Sequence, residues 1–341
     1  MIGPERSEAI PELAEILDIS RDLIFQALWM LEKKTGYRLW SIPKKPGSEE
    51  KRQIQAARWP LNEIQARIAA RVYPFSVSEI NHSFIGGRSH RTAILSHLKA
   101  NAFFTFDIKD AFPSTKKTQI KFSFRMIGFK KRVADLMADL VCYTPGKSED
   151  GFLPQGYTSS PTVFNLILRG TDRILAGFAK KRGYQISRYV DDFGLSTTAK
   201  TIPETERRLA IKLVEDLNLG NFKIPDEKTS YQEAEEGRVH FEFLGLVIEG
   251  PADGERIIRV ADDKLGEYRW AVQEAMEKGD FSKRKLRELK GKIRYLKSIY
   301  KDRPLPPYVF EPYTQYLLMK EVADATKIGQ SSLSIQKPTV N

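Results

Sequence analysis

The sequence predicts an α+β fold, and three observations carry that expectation. Short aromatic and β-branched runs, the clearest being Ala102-Phe103-Phe104-Thr105-Phe106, have the composition of buried strands. Other stretches place apolar residues at helical spacing, as Ile10, Leu13, Ile16 and Leu17 do. Two short runs at 184–189 and 193–197 read as strands joined by a tight turn, the arrangement of an antiparallel hairpin. A chain of 341 residues also exceeds one simple core, so two or three subdomains around a shared cleft are expected.

The elements follow in order. Residues 7–34 read as one or two amphipathic helices, with Leu23, Ile24, Leu28 and Leu31 continuing after Ser20, an N-cap residue, and with Gly36 as the stop. A packing brace is the expected role of this N-terminal helical segment, residues 1–36. Short strands open residues 37–100, followed by a helix from Leu61 to about Val72 that Pro74 is expected to end, since proline lacks the amide donor. Strand character resumes at 101. Helical segments fall near 117–142, a polar loop occupies 144–151, and a helix follows Pro161. After the hairpin come a helix at 203–217 and strands around 239–248. Pro251 to Glu255 reads as a turn-like linker to a helical region, 251–325. The stretch 326–341, rich in Ser, Gln and Lys, is expected to be a flexible tail. No internal repeat is visible.

Lysine and arginine number 55 against 44 acids, a net charge of +11. Such an excess implies an anionic partner, because each phosphate neutralised releases counterions. The excess is uneven, with 15 basic and 8 acidic side chains between 256 and 303. A single cysteine, Cys142, excludes an intrachain disulfide and a cysteine zinc site and fits a reducing compartment. The start lacks a signal-peptide pattern and no apolar run approaches membrane-spanning length, so a cytoplasmic protein without membrane contact is expected. His82, His90, His97 and His240 show no metal-ligand spacing.

Tyr189-Val190-Asp191-Asp192 puts adjacent carboxylates at the hairpin tip, and Asp107 closes the strand 84 residues upstream. Three carboxylates on two neighbouring strand ends suit a two-metal phosphoryl-transfer site, because hard oxygen ligands clamp Mg²⁺ while the attacking and leaving oxygens line up. An Asp-Asp pair in a turn is more often a solvated tip. What changes the balance is the rest of the sequence. Asp107-Ile108-Lys109-Asp110-Ala111-Phe112-Pro113-Ser114 resembles motif A of the reverse transcriptases, and Leu153-Pro154-Gln155-Gly156-Tyr157-Thr158-Ser159-Ser160-Pro161 resembles motif B. Tyr189 to Asp192 is similar to the Tyr-x-Asp-Asp of motif C, Lys228 falls where motif D has its lysine, and Phe243 to Leu246 resembles the primer grip.

Within that family the likeness narrows to bacterial retron-type enzymes. Ile42 to Gly47, Arg52-Gln53-Ile54 and Pro60 to Gln65 are similar to the start of the retron fingers, and Phe84-Ile85-Gly86-Gly87-Arg88-Ser89 resembles the Gly-Arg-Ser turn. Two departures stand out: Ala93-Ile94-Leu95-Ser96-His97 where retron enzymes have Asn-Ala-x-x-His, and Phe243-Leu244-Gly245 where they have Val-Thr-Gly.

The resemblance implies a right-hand polymerase with fingers at 37–100, a palm on a small antiparallel sheet at 101–250 with a fingers insertion at about 115–150, and a short helical thumb at 251–325. It implies RNA-directed DNA synthesis with two Mg²⁺ ions and dNTPs. Asp107, Asp191 and Asp192 would hold the metals, with the backbone carbonyl of Ile108 as a further ligand. Phe112, five residues beyond Asp107 as the motif has it, would be the sugar gate that excludes a 2′-hydroxyl, with ordinary palm core as the less favoured alternative. Gln155 and Gly156 would meet template or incoming nucleotide. Arg52, with Lys44 and Lys45 nearby, would close over the triphosphate. Lys228 would protonate departing pyrophosphate.

In the thumb, Leu286, Leu289, Ile293, Leu296 and Tyr300 form one helical stripe, and Lys283, Arg284, Arg287, Lys290 and Arg294 lie on other faces, placed to track an RNA–DNA duplex by its backbone. A retron enzyme would draw template and primer from a dedicated structured RNA and act with an effector protein against phage. The alternatives are another prokaryotic reverse transcriptase of abortive-infection or diversity-generating type, including template-independent ones, an RNA-dependent RNA polymerase, and a non-catalytic RNA-binding scaffold. Tyr189 to Asp192 with Phe112 argues against the RNA polymerase, and the three aspartates against the scaffold.

Overall fold

The structure, a computed structural model, describes residues 4–44, 49–145, 151–156, 158–218, 220–301 and 303–333. They fall into two compact units, Met1–Glu233 and Ala234–Asn341. The first unit opens with α1 (Pro4–Leu17) and α2 (Arg21–Glu32), then a two-stranded antiparallel sheet of β1 (Tyr37–Pro43) and β2 (Lys51–Ala57). It continues with α3 (Leu61–Ser76), α4 (His90–Leu95), β3 (Ala102–Asp107), the short α5 (Ala111–Ser114), α6 (Lys117–Met126), α7 (Lys131–Val141) and α8 (Ser160–Arg182). A hairpin of β4 (Gln185–Tyr189) and β5 (Asp192–Thr197), α9 (Glu204–Leu217) and β6 (Thr229–Glu233) complete it. The second unit holds the antiparallel sheet of β7 (Arg238–Phe243), β8 (Leu246–Pro251) and β9 (Ile257–Val260), followed by α10 (Asp262–Glu277), α11 (Lys283–Tyr300) and α12 (Pro307–Leu333).

Helices and antiparallel sheets thus share each unit, as the α+β expectation requires. The four-stranded sheet of the first unit runs β4-β5-β3-β6 with every pairing antiparallel. Its inner strand β3 is apolar along almost its whole length because Ala102, Phe103, Phe104 and Phe106 are all buried. Phe106 stacks on Phe193 of β5 at 4.9 Å, a cross-strand aromatic pair that helps fix the register. Helix α8 contributes a long buried stripe from Val163 to Ala179, and Gly183 at φ 70 ends it in the left-handed conformation glycine adopts freely.

Ser20 caps α2 by accepting from the Leu23 amide, as its place in the sequence predicts. Pro74 does not end α3: the helix runs to Ser76, whose hydroxyl donates to the Tyr73 carbonyl in the last turn. One intrahelical bond is lost there, close enough to the helix end for the turn to persist. Pro251 to Glu255 supplies the β8–β9 connection, so a third strand of only four residues precedes the helices. The backbone is also helical through Leu333, where a flexible tail is expected from 326. Residues 334–341 lie outside the described residues. No helix among the described residues is long and apolar enough to cross a membrane. Cys142 is buried, and that burial pushes its thiol up to about 12.

Candidate active site

Sheet register alone assembles the centre of the site. Asp107 is the last residue of β3 and pairs with Asp192, the first of β5. Tyr189 pairs with Asp192, which leaves Val190 and Asp191 as a two-residue turn. Val190 sits at φ 58, a left-handed conformation that costs a β-branched residue roughly 1–3 kcal/mol. On the other edge, Thr229 pairs with Phe106, so Lys228, the residue just before β6, arrives beside Asp107 and donates to its Oδ2. Asp107, Asp191, Asp192 and Lys228 are therefore brought together, as the motif spacing predicts. The Ile108 amide donates to the Asp191 carbonyl at 3.3 Å.

This cluster holds more negative charge than it pairs. Burial, and then the Asp107 carboxylate, raise Asp191 to about 6; burial, Asp191 and Asp107 raise Asp192 to about 8. Lys228 and Arg52 oppose both shifts. The hydrogen bond to Asp107, more than any other cause, raises Lys228 above the usual lysine range. Asp107 Oδ1 is buried without a hydrogen-bond partner. An unsatisfied carboxylate oxygen beside two carboxylates that resist ionisation is a donor set suited to a hard divalent cation. Among the described residues no three acidic, histidine or cysteine side chains are grouped closely enough to hold an ion as they stand, and Lys228 occupies Asp107 Oδ2.

The other expected residues take varied places. Arg52 lies exposed on β2, near enough to favour the charged forms of Asp191 and Asp192. Lys44 stands 3.7 Å from Asp110 and 3.3 Å from Glu50, while Lys45 is outside the described residues. Phe112 is half-buried on α5 and stacks on the buried Phe164 at 5.1 Å. Gln155 exchanges hydrogen bonds with Gln55 of β2, through the Gln55 amide to its carbonyl at 2.8 Å and from its own amide to Gln55 Oε1 at 3.2 Å. Gly156 follows at φ 103, where a Cβ would fall 2.7 Å from Ile54 Cγ2 and 3.0 Å from the Gln55 carbonyl oxygen. The backbone approach that demands glycine is thus the one to β2. Gly156→Ala is expected to lower stability by about 1–3 kcal/mol; an unchanged midpoint in thermal unfolding would mean the loop does not pack this way.

Three further side chains shape this region. Gln55 is buried and grips the loop, His90 stacks on Tyr189 at 3.9 Å, and Arg188 is buried beneath the turn. None carries a periodicity signal, since each role depends on residues distant in sequence. His97 bridges the Ser196 and Ser187 hydroxyls at 2.7 and 2.8 Å, and burial holds it near pKa 3. It is a neutral packing residue, as the lack of ligand spacing suggests.

In the second unit, Leu244 (φ 57) and Gly245 (φ 70) form the two-residue turn between β7 and β8. On α11 the Ser282 cap accepts from the Lys285 amide, and Leu289, Ile293, Leu296 and Tyr300 are buried. Lys283, Arg284, Arg287, Lys290 and Arg294 are exposed.

Residues 42–248 match the family model described as "Reverse transcriptase (RNA-dependent DNA polymerase)". Retron Mx162 reverse transcriptase of Myxococcus xanthus is 26% identical over 292 residues, covering 78% of this chain and 58% of that protein. Retron Mx65 reverse transcriptase of the same organism is 30% identical over 59% of this chain and 49% of its own length. Retron Ec86 reverse transcriptase of Escherichia coli is 29% identical over 47% of this chain and 48% of its own. The chain spans about half the length of the curated relatives it matches.

Proposed function

This chain belongs to the reverse transcriptase (RNA-dependent DNA polymerase) family, and we propose that it extends a DNA strand on an RNA template by two-metal nucleotidyl transfer. Its fold class is that family's right-hand polymerase class. The observation that carries the activity is the register that faces Asp107 with Asp192 and sets Asp191 at the tip between them. Asp107, Asp191 and Asp192 would hold two Mg²⁺ ions, with the Ile108 carbonyl as a further oxygen. Bound there, the ions would supply Lewis acidity toward the primer 3′-hydroxyl and the triphosphate.

The remaining work falls to side chains. Lys228, kept protonated by its place beside the carboxylates, leaves Asp107 and gives a proton to the departing pyrophosphate. Arg52 and Lys44 neutralise triphosphate oxygens from the hairpin of β1 and β2. Gln155 hydrogen-bonds template or incoming nucleotide from a loop pinned to β2. The exposed lysines and arginines of α11 follow the duplex backbone. A purified sample given a primed RNA template, dNTPs and Mg²⁺ is expected to extend the primer; no incorporation, on that template or on nucleic acid carried through purification, would reject the activity.

In this reading Phe112 selects the sugar. Stacking on Phe164 holds its ring rigid, which a steric gate requires. Phe112→Ala is expected to reduce discrimination between dNTPs and rNTPs by about 10- to 100-fold in single-nucleotide kcat/KM. Equal discrimination before and after would return Phe112 to the core.

From the likeness to retron reverse transcriptases we further propose a dedicated structured RNA as template and primer, with an effector protein in a cytoplasmic anti-phage system. Sequencing the co-purifying nucleic acid is expected to give one structured RNA and DNA copied from it. A second reading rests on Ala93 to His97 and Phe243 to Gly245, which depart from the retron pattern. Its mark is DNA unrelated to any bound RNA, the product of a template-independent bacterial enzyme.

A further inference from the structure

The guanidinium of Arg188 and the carboxylate of Asp172 are both fully buried, in strand β4 and in helix α8. They form a bidentate pair: Arg188 Nε donates to Asp172 Oδ1 at 2.7 Å and Nη2 to Oδ2 at 2.6 Å. Ser78 Oγ also donates to Oδ2, at 2.6 Å. The third arm, Nη1, donates to Asn165 Oδ1 at 3.1 Å and to the Val190 carbonyl at 2.8 Å. A buried ion pair is a poor source of stability, because desolvation offsets the attraction and apolar residues of similar volume replace it at little cost. What the planar fork supplies is direction.

That direction matters because of where Val190 stands. Its carbonyl belongs to the peptide on one side of Asp191, and the Asp191 carbonyl, which accepts from the Ile108 amide at 3.3 Å, belongs to the peptide on the other. Both peptide planes flanking the Asp191 α-carbon are therefore held, one from α8 through Arg188 and one from the end of β3 next to Asp107. Val190 at φ 58 would relax if the first bond were lost.

We infer that Arg188, anchored by Asp172, is a positioning residue that sets the direction of the Asp191 carboxylate toward Asp107 for divalent-cation binding. The inference rests on the polymerase reading of the same site. Its test removes both buried charges at once, as Asp172→Leu with Arg188→Met, so that no charge is left unpaired. Mn²⁺ affinity, followed by the electron paramagnetic resonance of free ion, is expected to fall about 10- to 100-fold, and kcat for primer extension by a similar factor. The KM for primed template and the thermal midpoint are expected to stay close to those of the parent chain.

A folded double variant that binds Mn²⁺ as the parent does would overturn the inference. Should it fail to fold, Arg188→Lys keeps a charge for Asp172 without the fork; the same loss of Mn²⁺ affinity supports the role, and parental affinity rejects it. The metal titration does not depend on polymerisation. A parent chain that binds Mn²⁺ yet incorporates no nucleotide would reject the polymerase reading, while the ratio of variant to parent affinity would still judge Arg188.

Discussion

Asp191→Asn combined with Asp192→Asn is expected to abolish Mg²⁺-dependent primer extension, by about 10³-fold or more, while the protein becomes no less stable at neutral pH. The two outcomes share one cause. Both carboxylates are raised above the usual carboxylate range, to about 6 and about 8, by burial and by neighbouring carboxylates, Asp107 acting on Asp191 and both Asp191 and Asp107 on Asp192. A group whose folded pKa is raised binds its proton more tightly when folded, so its ionised form opposes folding. That penalty is absent below the unfolded value near 4, grows as pH rises through the window up to 6 for Asp191 and 8 for Asp192, and is constant above. The amides carry no such penalty. Thermal midpoints of the variant relative to the parent should therefore rise between pH 4 and pH 8, and extension should vanish at every pH. Retained Mg²⁺-dependent extension would place the chemistry elsewhere, and a variant that loses stability as pH rises would contradict the electrostatics.

The separation between what sequence revealed and what it concealed follows the range of the interactions. Ser20 capping α2, the apolar run of β3 and the helix after Pro161 are local patterns and were legible residue by residue. The three aspartates and Lys228 were legible because their motifs occur in a fixed order; the sheet register then accounts for their convergence. Strand β9 escaped because four residues give no usable alternation. Pro74 misled because the rule against interior proline weakens in a last turn. Arg188 reads as an ordinary polar strand residue until Asp172 and Asn165 meet it from α8, and Gln55 reads as part of an exposed hairpin until Gln155 arrives 100 residues later. Gly156 was legible as a glycine that something must approach, but only the fold shows β2 doing so.

Replacing Lys283, Arg284, Arg287 and Lys290 together by Gln is expected to weaken binding of a primed RNA–DNA duplex by roughly 10²-fold at low salt, for all sequences alike. Lys283, Arg287, Lys290 and Arg294 recur at i, i+4, i+7 and i+11, which aligns them as one stripe of α11, away from the buried line of Leu289, Ile293, Leu296 and Tyr300. Other cations of this helix are already engaged: Lys285 and Lys292 with Glu288 at 3.3 and 3.5 Å, and Lys297 over the Phe310 ring at 5.7 Å. Among the described residues none of the stripe forms an ion pair, so its charge remains available to phosphates. Removing one phosphate interaction should flatten the dependence of log affinity on log salt by somewhat under one unit, about three units for the set. Titrations at several salt concentrations decide among three outcomes. A uniform loss with a flatter slope supports backbone tracking. An unchanged slope would leave the stripe a solvated face, and a loss confined to one RNA would make α11 a reader of that RNA, because only base or shape readout distinguishes sequences whose phosphates are identical.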